Sequence, residues 1–464
     1  MAKRDNGKKF WNFVGNLQGD KVVWMIVLLL ILLSIVAIFS STPLLAIQQH
    51  TTRTAIMKEQ LLISLAGLFF IILCYNIRSQ RFFRAVSKLG WGFSMLLLIF
   101  LVAHGNLSVI KALYINDAWR SISVFGFQVH VFEVVKVAMV MYLSWAVDAY
   151  QNKKLHPIFF KDSPWVQKHA DGITKFTYVY FPMLSVCVGI MPGSLSSTLF
   201  IGGIMFVTIL VGGISVKELI LPFVGAIALL LLLVAIDKAT PKPIFPHLES
   251  ALARLENNRE HQLEVIRTKP RNSIEFQRAL DKMKQPMSAK IAVHEGRGIL
   301  IGKGPGGSTQ RYVVPVMFED YMFSFIIEEY GILGAIVVIF LYISLLARGS
   351  MIVRNCDNLF AKTAVAGLVL LITGQAMMHM FINVGIGPLT GQTLPMVSHG
   401  NSSFIMFSIA FGIILSISRS AKRKMDKEIQ AAQARAQLEA MPADEPDMEA
   451  LNELNDIEEI DNLE

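Results

Sequence analysis

The chain has 464 residues, of which 53% are hydrophobic and only 17% are charged. Soluble domains are about 45–50% apolar and about 25% charged, so this composition indicates helices that face lipid and argues against a soluble domain. The formal net charge of +8 is largely carried by short loops between apolar runs. That distribution indicates membrane topology and gives little support to nucleic-acid binding.

Ten apolar windows approach the length of about 20 residues that a membrane-spanning helix needs. In chain order they are 22–41, 60–76, 89–104, 133–149, 175–191, 197–214, 219–236, 321–347, 362–382 and 402–418. Several are short or broken by glycine, so the number of spans is about ten. The sequence therefore predicts an all-α fold, a polytopic membrane helix bundle. The first window is too long for a cleavable signal peptide and lacks a small-residue cleavage site.

The basic residues of the connections assign an orientation. If the N-terminus is cytoplasmic, the inward connections are rich in Lys and Arg and the short outward ones are poor in them. The inward set is Arg78, Arg81, Arg84, Lys88, Lys153, Lys154, Lys161, Lys168, Lys175, Lys217, Arg348, Arg354 and Lys362. The outward set is Arg53, Lys58, Lys111 and Arg120. We therefore expect a multi-pass protein of the cytoplasmic (inner) membrane with both termini in the cytoplasm.

Three regions follow from this pattern: a cytoplasmic N-terminal segment (1–20), a transmembrane domain (21–420) and an acidic cytoplasmic tail (421–464). The domain includes one long extracytoplasmic loop, 237–320, with fourteen Lys or Arg against ten Asp or Glu. Leucines spaced as in an amphipathic helix predict a helix in this loop that packs on the bundle or lies on the membrane, while a solvated charged hairpin fits equally well. The tail is typical of disorder, with a helical start at 426–440.

An acidic pair, Glu319 and Asp320, precedes the eighth window, where water meets lipid. A carboxylate there reaches both a membrane-anchored substrate and solvent, which makes Asp320 the leading catalytic candidate. Taken alone, an Asp that opens a helix more often caps it. The glycine-rich run 302–307 permits close backbone approach, and Gln310 and Arg311 after it suit polar or anionic groups. The run lacks the ending of a P-loop.

The fourth window carries a second candidate, Glu133 and Lys136, with Arg120 upstream. Ionisable residues inside spans are expensive and usually pair, and a spacing of three places these two on one helical face. A structural ion pair and a functional site are equally supported. Glu328 and Glu329 in the eighth window raise the same question.

The loop 383–403 is the third candidate, since its Gly, Pro, Ser and Asn residues are typical of backbone that lines a cavity. His399 is the strong titratable group there, although a lone His in such a loop is more often structural. The three cysteines, Cys74, Cys187 and Cys356, fall in spans or on the inward side, which favours free thiols over disulfides.

Four motifs, in order, resemble those of the SEDS family (shape, elongation, division and sporulation), the FtsW/RodA peptidoglycan polymerases. FEDYMFSFIIEEYGILGA (318–335) is similar to the family's acidic segment, and PLTGQTLPMVSHGNSS (388–403) to its closing loop, PxTGxxLPFxSYGGSS. GKGPGGSTQR (302–311) resembles the glycine-rich lead-in. NDAWRSI (116–122) with FEVVK (132–136) resembles the NGARRWI and PSEFAK elements.

The resemblance implies a glycosyltransferase that polymerises lipid II, a disaccharide-pentapeptide on undecaprenyl pyrophosphate, into glycan strands. It implies Asp320 as general base and Arg120, Glu133, Lys136, Ser398, His399 and Ser402 as substrate-binding residues, to which the polar flank of the acidic pair adds Gln310. A divalent cation, magnesium or manganese, or nearby Lys and Arg would offset charge on the leaving group. The expected partners are a class B penicillin-binding protein, which is a transpeptidase, and divisome membrane proteins. The charged N-terminus and acidic tail favour the FtsW-like, division-associated branch over elongation.

The sequence departs from the family pattern at several positions. The QPDxGT turn reads MPGSLSST (191–198), with no carboxylate at Gly193 or Ser194, and the Pro-Ser of PSEF is Val131-Phe132. Ser121, His399 and Asn401 replace the usual Trp, Tyr and Gly. The acidic site is nevertheless retained, which favours the polymerase. Two other functions stay open: a lipid II flippase or transporter, which the membrane-embedded Glu133, Lys136, Glu328 and Glu329 would suit, and a non-catalytic scaffold that recruits a transpeptidase.

Overall fold

The computed structural model describes residues 18–440 except 116–117, 158–162, most of 221–258, 315–316 and 387–390. In chain order the helices are α1 (Lys21–Ser41), α2 (Pro43–Gln48), α3 (Arg53–Asn76), α4 (Gln80–Ser87), α5 (Gly90–Val102), α6 (Val131–Gln151), α7 (Pro164–Lys168), α8 (Ala170–Lys175), α9 (Phe181–Ile190), α10 (Leu195–Val211), α11 (Arg259–Thr268), α12 (Ile274–Gly296), α13 (Met322–Arg354), α14 (Leu359–Val384) and α15 (Asn401–Ala440). A π-helical turn (Phe176–Tyr180) joins α8 to α9, and a 3₁₀ turn (Gln310–Tyr312) precedes the acidic pair.

Seven helical stretches in the described residues are long and apolar enough to span a membrane: Lys21–Ser41, Arg53–Asn76, Gln80–Val102, Ala170–Ile190, Met322–Arg354, Leu359–Val384 and Asn401–Arg423. Two further predicted windows are helical: α6 contains 133–149, and the shorter α10 contains most of 197–214. The window 219–236 lies largely outside the described residues. The prediction of a polytopic helical membrane protein is confirmed.

The centre of the bundle is formed by α14 and α15. In their most apolar windows 67% and 72% of residues are buried, against 28% in the peripheral α3. α14 packs against α6, α10 and α13, and α15 packs against α3, α6 and α14. α14 begins after Asn358, whose side chain caps Phe360, and ends at Gly385 in the left-handed conformation, as helix ends commonly do.

The long loop between residues 237 and 320 contains two helices in its described part, α11 and α12. α12 packs against α13 and α14, and it buries Ala289 and Ala292 in the apolar core. The leucine spacing behind the predicted amphipathic helix lies at 248–266, on α11 and on residues outside the described part, so the choice between a packed helix and a solvated hairpin stays a prediction there. α15 runs to Ala440 and so includes the predicted helical start of the tail. Residues 237–258 and 441–464 lie outside the described part.

A three-stranded antiparallel sheet, which the sequence did not predict, follows α5. Its strands are β1 (Ile110–Ile115), β2 (Ala118–Val124) and β3 (Phe127–His130), in the order β1-β2-β3. Ser121 of β2 pairs with His130 of β3, and β3 leads directly into α6. The sheet therefore fixes Arg120, on β2, next to the first turn of α6.

Helix α13 is interrupted at Gly331, which has φ 68° and ψ −162°. The segment after α12 fills the break with hydrogen bonds: Leu333 donates from its backbone to Leu300 at 3.1 Å, and Lys303 and Gly304 donate to Glu328 and Glu329 at 3.0 and 2.9 Å. Broken backbone is tolerated at membrane depth only where such partners satisfy it. The glycine-rich run thus braces α13 just below the acidic pair.

Candidate active site

The acidic pair lies in a turn that is held through its backbone. The carbonyl of Phe318 accepts from the His399 N–H at 2.9 Å, that of Glu319 from the Ser398 hydroxyl at 2.7 Å, and that of Asp320 from the Asn383 amide at 3.0 Å. Across the described residues, no hydrogen bond reaches the carboxylate of Asp320 or of Glu319. The turn is therefore fixed while both carboxylates stay available.

The capping interpretation of Asp320 is wrong in this structure. The residue that flanks α13 is Tyr321, and no side chain caps the first turn. Helix-capping carboxylates accept backbone N–H bonds, and Asp320 accepts none within the described part of the chain. The carboxylate of Asp320 is therefore not used as a helix cap in this structure.

Burial raises the pKa of Asp320 from 3.8 to about 6, and the nearby positive charge of Arg120 opposes this rise. The pKa of Glu319 rises to about 7 because of burial and because the negative charge of Asp320 is adjacent. Both side chains are half-buried. A carboxylate with a pKa near 6 is a stronger base than ordinary Asp and is still mostly ionised at neutral pH.

Arg120 reaches the site from β2. Its Nε donates to the carbonyl of Gly193 at 2.9 Å, in the turn that departs from the family pattern. Phe132, the first-turn residue of α6 that replaces a serine of the family motif, lies against the same turn. Arg120 thus joins this turn to the acid, because its positive charge acts on Asp320.

Glu133 and Lys136 form the predicted ion pair, with Nζ and Oε1 2.6 Å apart. Lys136 is buried and also donates to Gln375 at 2.6 Å and to Gln392 at 3.3 Å. Ser403 donates to the other oxygen of Glu133 at 3.3 Å. The pair therefore joins α6 to α14 and to the closing loop.

The described part of the closing loop that precedes α15, residues 391–400, connects these groups. A Cβ placed on Gly391 would lie 3.7 Å from an oxygen of Asp320, so this loop borders the acid. His399 bonds through Nδ1 to Gln60 at 3.0 Å, and burial lowers its pKa. Ser402, just after the loop, accepts the backbone N–H of His130 at 3.0 Å. Ser398, His399 and Ser402 thus hold the site walls together.

Gln310 lies elsewhere. Its backbone N–H contacts Glu328 at 3.4 Å and its side chain contacts Thr309 at 3.5 Å. Glu328 also accepts from Lys303 at 2.7 Å and from Ser308 at 2.6 Å. These contacts assign Gln310 to the brace of α13, and its predicted substrate contact stays a prediction.

Several polar residues of α14 were missed by the sequence interpretation. Gln375, His379 and Asn383 are spaced by four, so they occupy one helical face, and all three are buried. His379 contacts Gln392 at 2.7 Å, and its Nε2 accepts the backbone N–H of Phe323 at 3.3 Å. Three polar side chains that recur every four residues in an apolar span are the signal that identifies such a face.

In the described part of the chain, the donor set does not build a site for the expected magnesium or manganese ion. Within the described residues, no three His, Cys, Asp or Glu side chains come together as metal ligands. Position 193, where the family motif has Asp, is glycine, and the group whose charge acts on Asp320 is the cation of Arg120.

Comparison with known proteins follows the same pattern. The model of the FtsW/RodA/SpoVE family, described as cell cycle protein, matches residues 20–423. A relative from Geobacter metallireducens, named probable peptidoglycan glycosyltransferase FtsW, is 23% identical over 87% of this chain and 95% of its own length. A relative of the same name from Coxiella burnetii is 27% identical over 70% of this chain and 76% of its own.

Two solved structures share the fold. One is from a study of how a peptidoglycan synthase complex coordinates polymerization and crosslinking, with TM-score 0.60, 21% identity, and coverage of 87% of this chain and 98% of that one. The other is the rod shape determining protein RodA of Thermus thermophilus, with TM-score 0.51, 19% identity, and coverage of 88% and 99%. Because the family model matches residues 20–423, which is most of the chain, the chain belongs to the FtsW/RodA/SpoVE family.

Proposed function

We propose that this protein is a peptidoglycan glycosyltransferase that polymerises lipid II at the outer face of the cytoplasmic membrane. The observation that carries this proposal is Asp320, a half-buried carboxylate with a pKa of about 6, held by its backbone beside Arg120 at the start of α13. Relatives named as peptidoglycan glycosyltransferases support the reaction class.

In the proposed reaction, the 4-hydroxyl of one GlcNAc attacks the anomeric carbon of a lipid-linked MurNAc. The new glycosidic bond forms as the bond to undecaprenyl pyrophosphate breaks, and Asp320 takes the hydroxyl proton. The pyrophosphate leaves with its negative charge, which Arg120 is placed to offset because a guanidinium binds phosphate oxygens well. In this proposal the protein thus supplies a base for the attacking hydroxyl and a cation for the leaving pyrophosphate.

Glu133 and Lys136 are positioning residues in this proposal. Lys136 is buried and hydrogen-bonded to Gln375 and Gln392, so it shapes the cavity wall behind the closing loop. Glu328 and Glu329 are fully buried, and Glu328 is bonded to Lys303, Ser308 and Thr309. Carboxylates sealed in this way suit a structural brace better than the open polar path that a flippase needs.

A role in division is favoured by the relatives named FtsW and by the acidic tail. The fold shared with a polymerising and crosslinking synthase complex supports a class B penicillin-binding protein as partner. In this proposal both termini are cytoplasmic, and other divisome membrane proteins join the complex. The growing glycan remains linked to undecaprenyl pyrophosphate.

Fluorescent lipid II incubated with the purified protein and its cognate transpeptidase tests the function. Glycan ladders on a gel are the expected product, and a dithionite protection assay in vesicles measures lipid II flipping separately. Ladders without flipping support the polymerase, whereas flipping without ladders identifies a transporter. An intact complex that does neither indicates a scaffold.

Addition of EDTA tests the magnesium or manganese expectation, and we expect the ladders to persist.

A further inference from the structure

The tip of the β2–β3 hairpin carries two exposed phenylalanines. Phe125 and Phe127 are 79% and 76% exposed, the largest exposures of any bulky apolar side chain in the described residues. They flank Gly126 in a two-residue turn between the paired Val124 and Phe127. Exposing a large apolar side chain to water is unfavourable. The exposure of both rings therefore indicates that they contact an apolar environment.

The backbone of the tip makes this exposure more unusual. Phe125 has φ 51° and Gly126 has φ 87°, the left-handed pair of a type I′ turn. Asn or Asp is the usual first residue of such a turn, because a bulky residue is strained there. Phe125 is strained and exposed, so stabilisation of the hairpin does not explain why a phenylalanine is present at this position.

The tip continues the lipid-facing surface of α5. Leu96, Ile99 and Val102 are exposed along this candidate span, and the apolar side chains of Leu107 and Val109 follow them out of the helix. The N–H of Phe125 donates to the carbonyl of Val109 at 3.1 Å, which places the tip beside this stripe. One apolar surface therefore runs from the membrane span to the hairpin.

The sheet is attached to the rim of the bundle. The ring of Trp119 stacks on that of His104, two residues after α5, with centroids 4.4 Å apart. Ala112 of β1 donates to Gly105 at 2.8 Å, and β3 passes into α6 at Val131. Four residues of extended chain span at most about 14 Å, so Phe127 cannot be far from the outward end of α6.

We propose that Phe125 and Phe127 insert into the outer leaflet of the bilayer and anchor the hairpin at the membrane surface. Aromatic side chains such as Phe favour the boundary between headgroups and acyl chains. Because Arg120 lies on β2, the anchor fixes the height of Arg120 relative to the headgroups. The inference rests on the membrane-spanning bundle alone and is independent of the proposed glycosyl transfer.

Spin-label depth measurements in lipid nanodiscs test the anchor, in a chain whose three cysteines are replaced by alanine. A nitroxide at Phe127→Cys is expected to be accessible to oxygen and shielded from water-soluble nickel-EDDA. The matched control is Gln128→Cys, the next residue on the opposite strand face, which is expected to show the reverse. Free access of nickel-EDDA to position 127 in nanodiscs would overturn the proposal. Shielding that appears only after the transpeptidase is added would overturn it in favour of a protein contact.

Phe125→Asn separates the anchor from hairpin stability, since asparagine relieves the turn strain. We expect this variant to unfold in detergent at the same or a higher temperature, while the label at position 127 becomes accessible to nickel-EDDA in nanodiscs. Phe125→Trp is expected to keep the label shielded. Loss of thermal stability in Phe125→Asn with unchanged depth would show that Phe125 serves the hairpin and would contradict the anchor.

Discussion

The ring of Phe132 lies against Gly193, in the turn that Arg120 contacts. A Cβ on Gly193 would meet the ring Cζ of Phe132 at 2.5 Å, closer than real Cβ atoms come to other heavy atoms. In the family pattern these positions are Asp and Ser, so the two departures of this chain are physically coupled. The phenylalanine fills the space that an aspartate would use, and the turn keeps its contact with Arg120 through the backbone carbonyl.

Gly193→Asp alone is therefore expected to lower stability and activity. Overpacking of this kind costs about 1–3 kcal/mol, and it displaces the turn that Arg120 contacts. The double variant Gly193→Asp with Phe132→Ser is expected to recover most of the thermal stability. Thermal unfolding of both variants and of Phe132→Ser alone gives the interaction energy between positions 193 and 132. Independent, additive effects would contradict the shared volume.

Removal of the buried cation is expected to be more damaging than removal of the whole ion pair. Lys136→Met leaves Glu133, whose side chain is only 14% exposed, without its counter-charge. Breaking one side of a buried pair costs about 3–5 kcal/mol, whereas replacing both sides costs much less. Lys136→Met with Glu133→Gln should thus unfold at a higher temperature than Lys136→Met alone. The reverse order would show that the pair is solvated and contributes little.

The break in α13 requires glycine at position 331. A Cβ there would lie 2.4 Å from the backbone nitrogen of Gly302 and from the carbonyl oxygen of Ile299, and φ is positive. Gly331→Ala is expected to prevent the docking of the brace, with loss of thermal stability and of glycan synthesis. Gly298→Ala is the matched control, because nothing lies within 4 Å of its Cβ position. Equal stability of the two variants would contradict this role of the break.

The rate of lipid II polymerisation should fall as the pH drops through about 6, because protonated Asp320 cannot accept the hydroxyl proton. We call this fall the acid limb of the pH profile. Since the positive charge of Arg120 lowers the pKa of Asp320, Arg120→Gln is expected to move the acid limb to higher pH. Lys111→Gln, an equal loss of charge on the exposed side of the sheet, should leave the limb in place. Rates of lipid II polymerisation between pH 5 and pH 8 measure both. A limb near 4 in the wild type would contradict burial of the base.

The helical fold and the acidic centre were predictable, and the reasons are local. Apolar runs, loop charges and an ion pair at a spacing of three are patterns of neighbouring residues, so they predicted α1, α14 and the Glu133–Lys136 pair. The sheet was missed because its strands follow an apolar span and lack a usual turn residue at Phe125. The role of Gln310 in the brace depends on how residues 302–311 meet α13, which no local pattern specifies.

The shared volume of Gly193 and Phe132 was also out of reach of the sequence. The two departures were visible separately, but they lie 61 positions apart and meet only when α6 packs beside the turn that precedes α10. The same applies to Asn383, whose amide holds the backbone of Asp320. Long-range contacts of single side chains become visible only in the packed structure. The spacing of the polar residues in α14, in contrast, can be seen in the sequence itself.

The most direct test of the central claim is single-turnover polymerisation of lipid II by Asp320→Asn, with lipid II binding and thermal unfolding measured on the same sample. The folded pKa of Asp320 lies above its ordinary value, so its ionisation removes stability as the pH rises from about 4 to about 6. Asparagine avoids this cost, and the variant should unfold at the same or a higher temperature. Loss of a general base lowers the rate by about 10²–10⁴-fold, which the account predicts with binding unchanged. A folded variant that polymerises lipid II at the wild-type rate would contradict it.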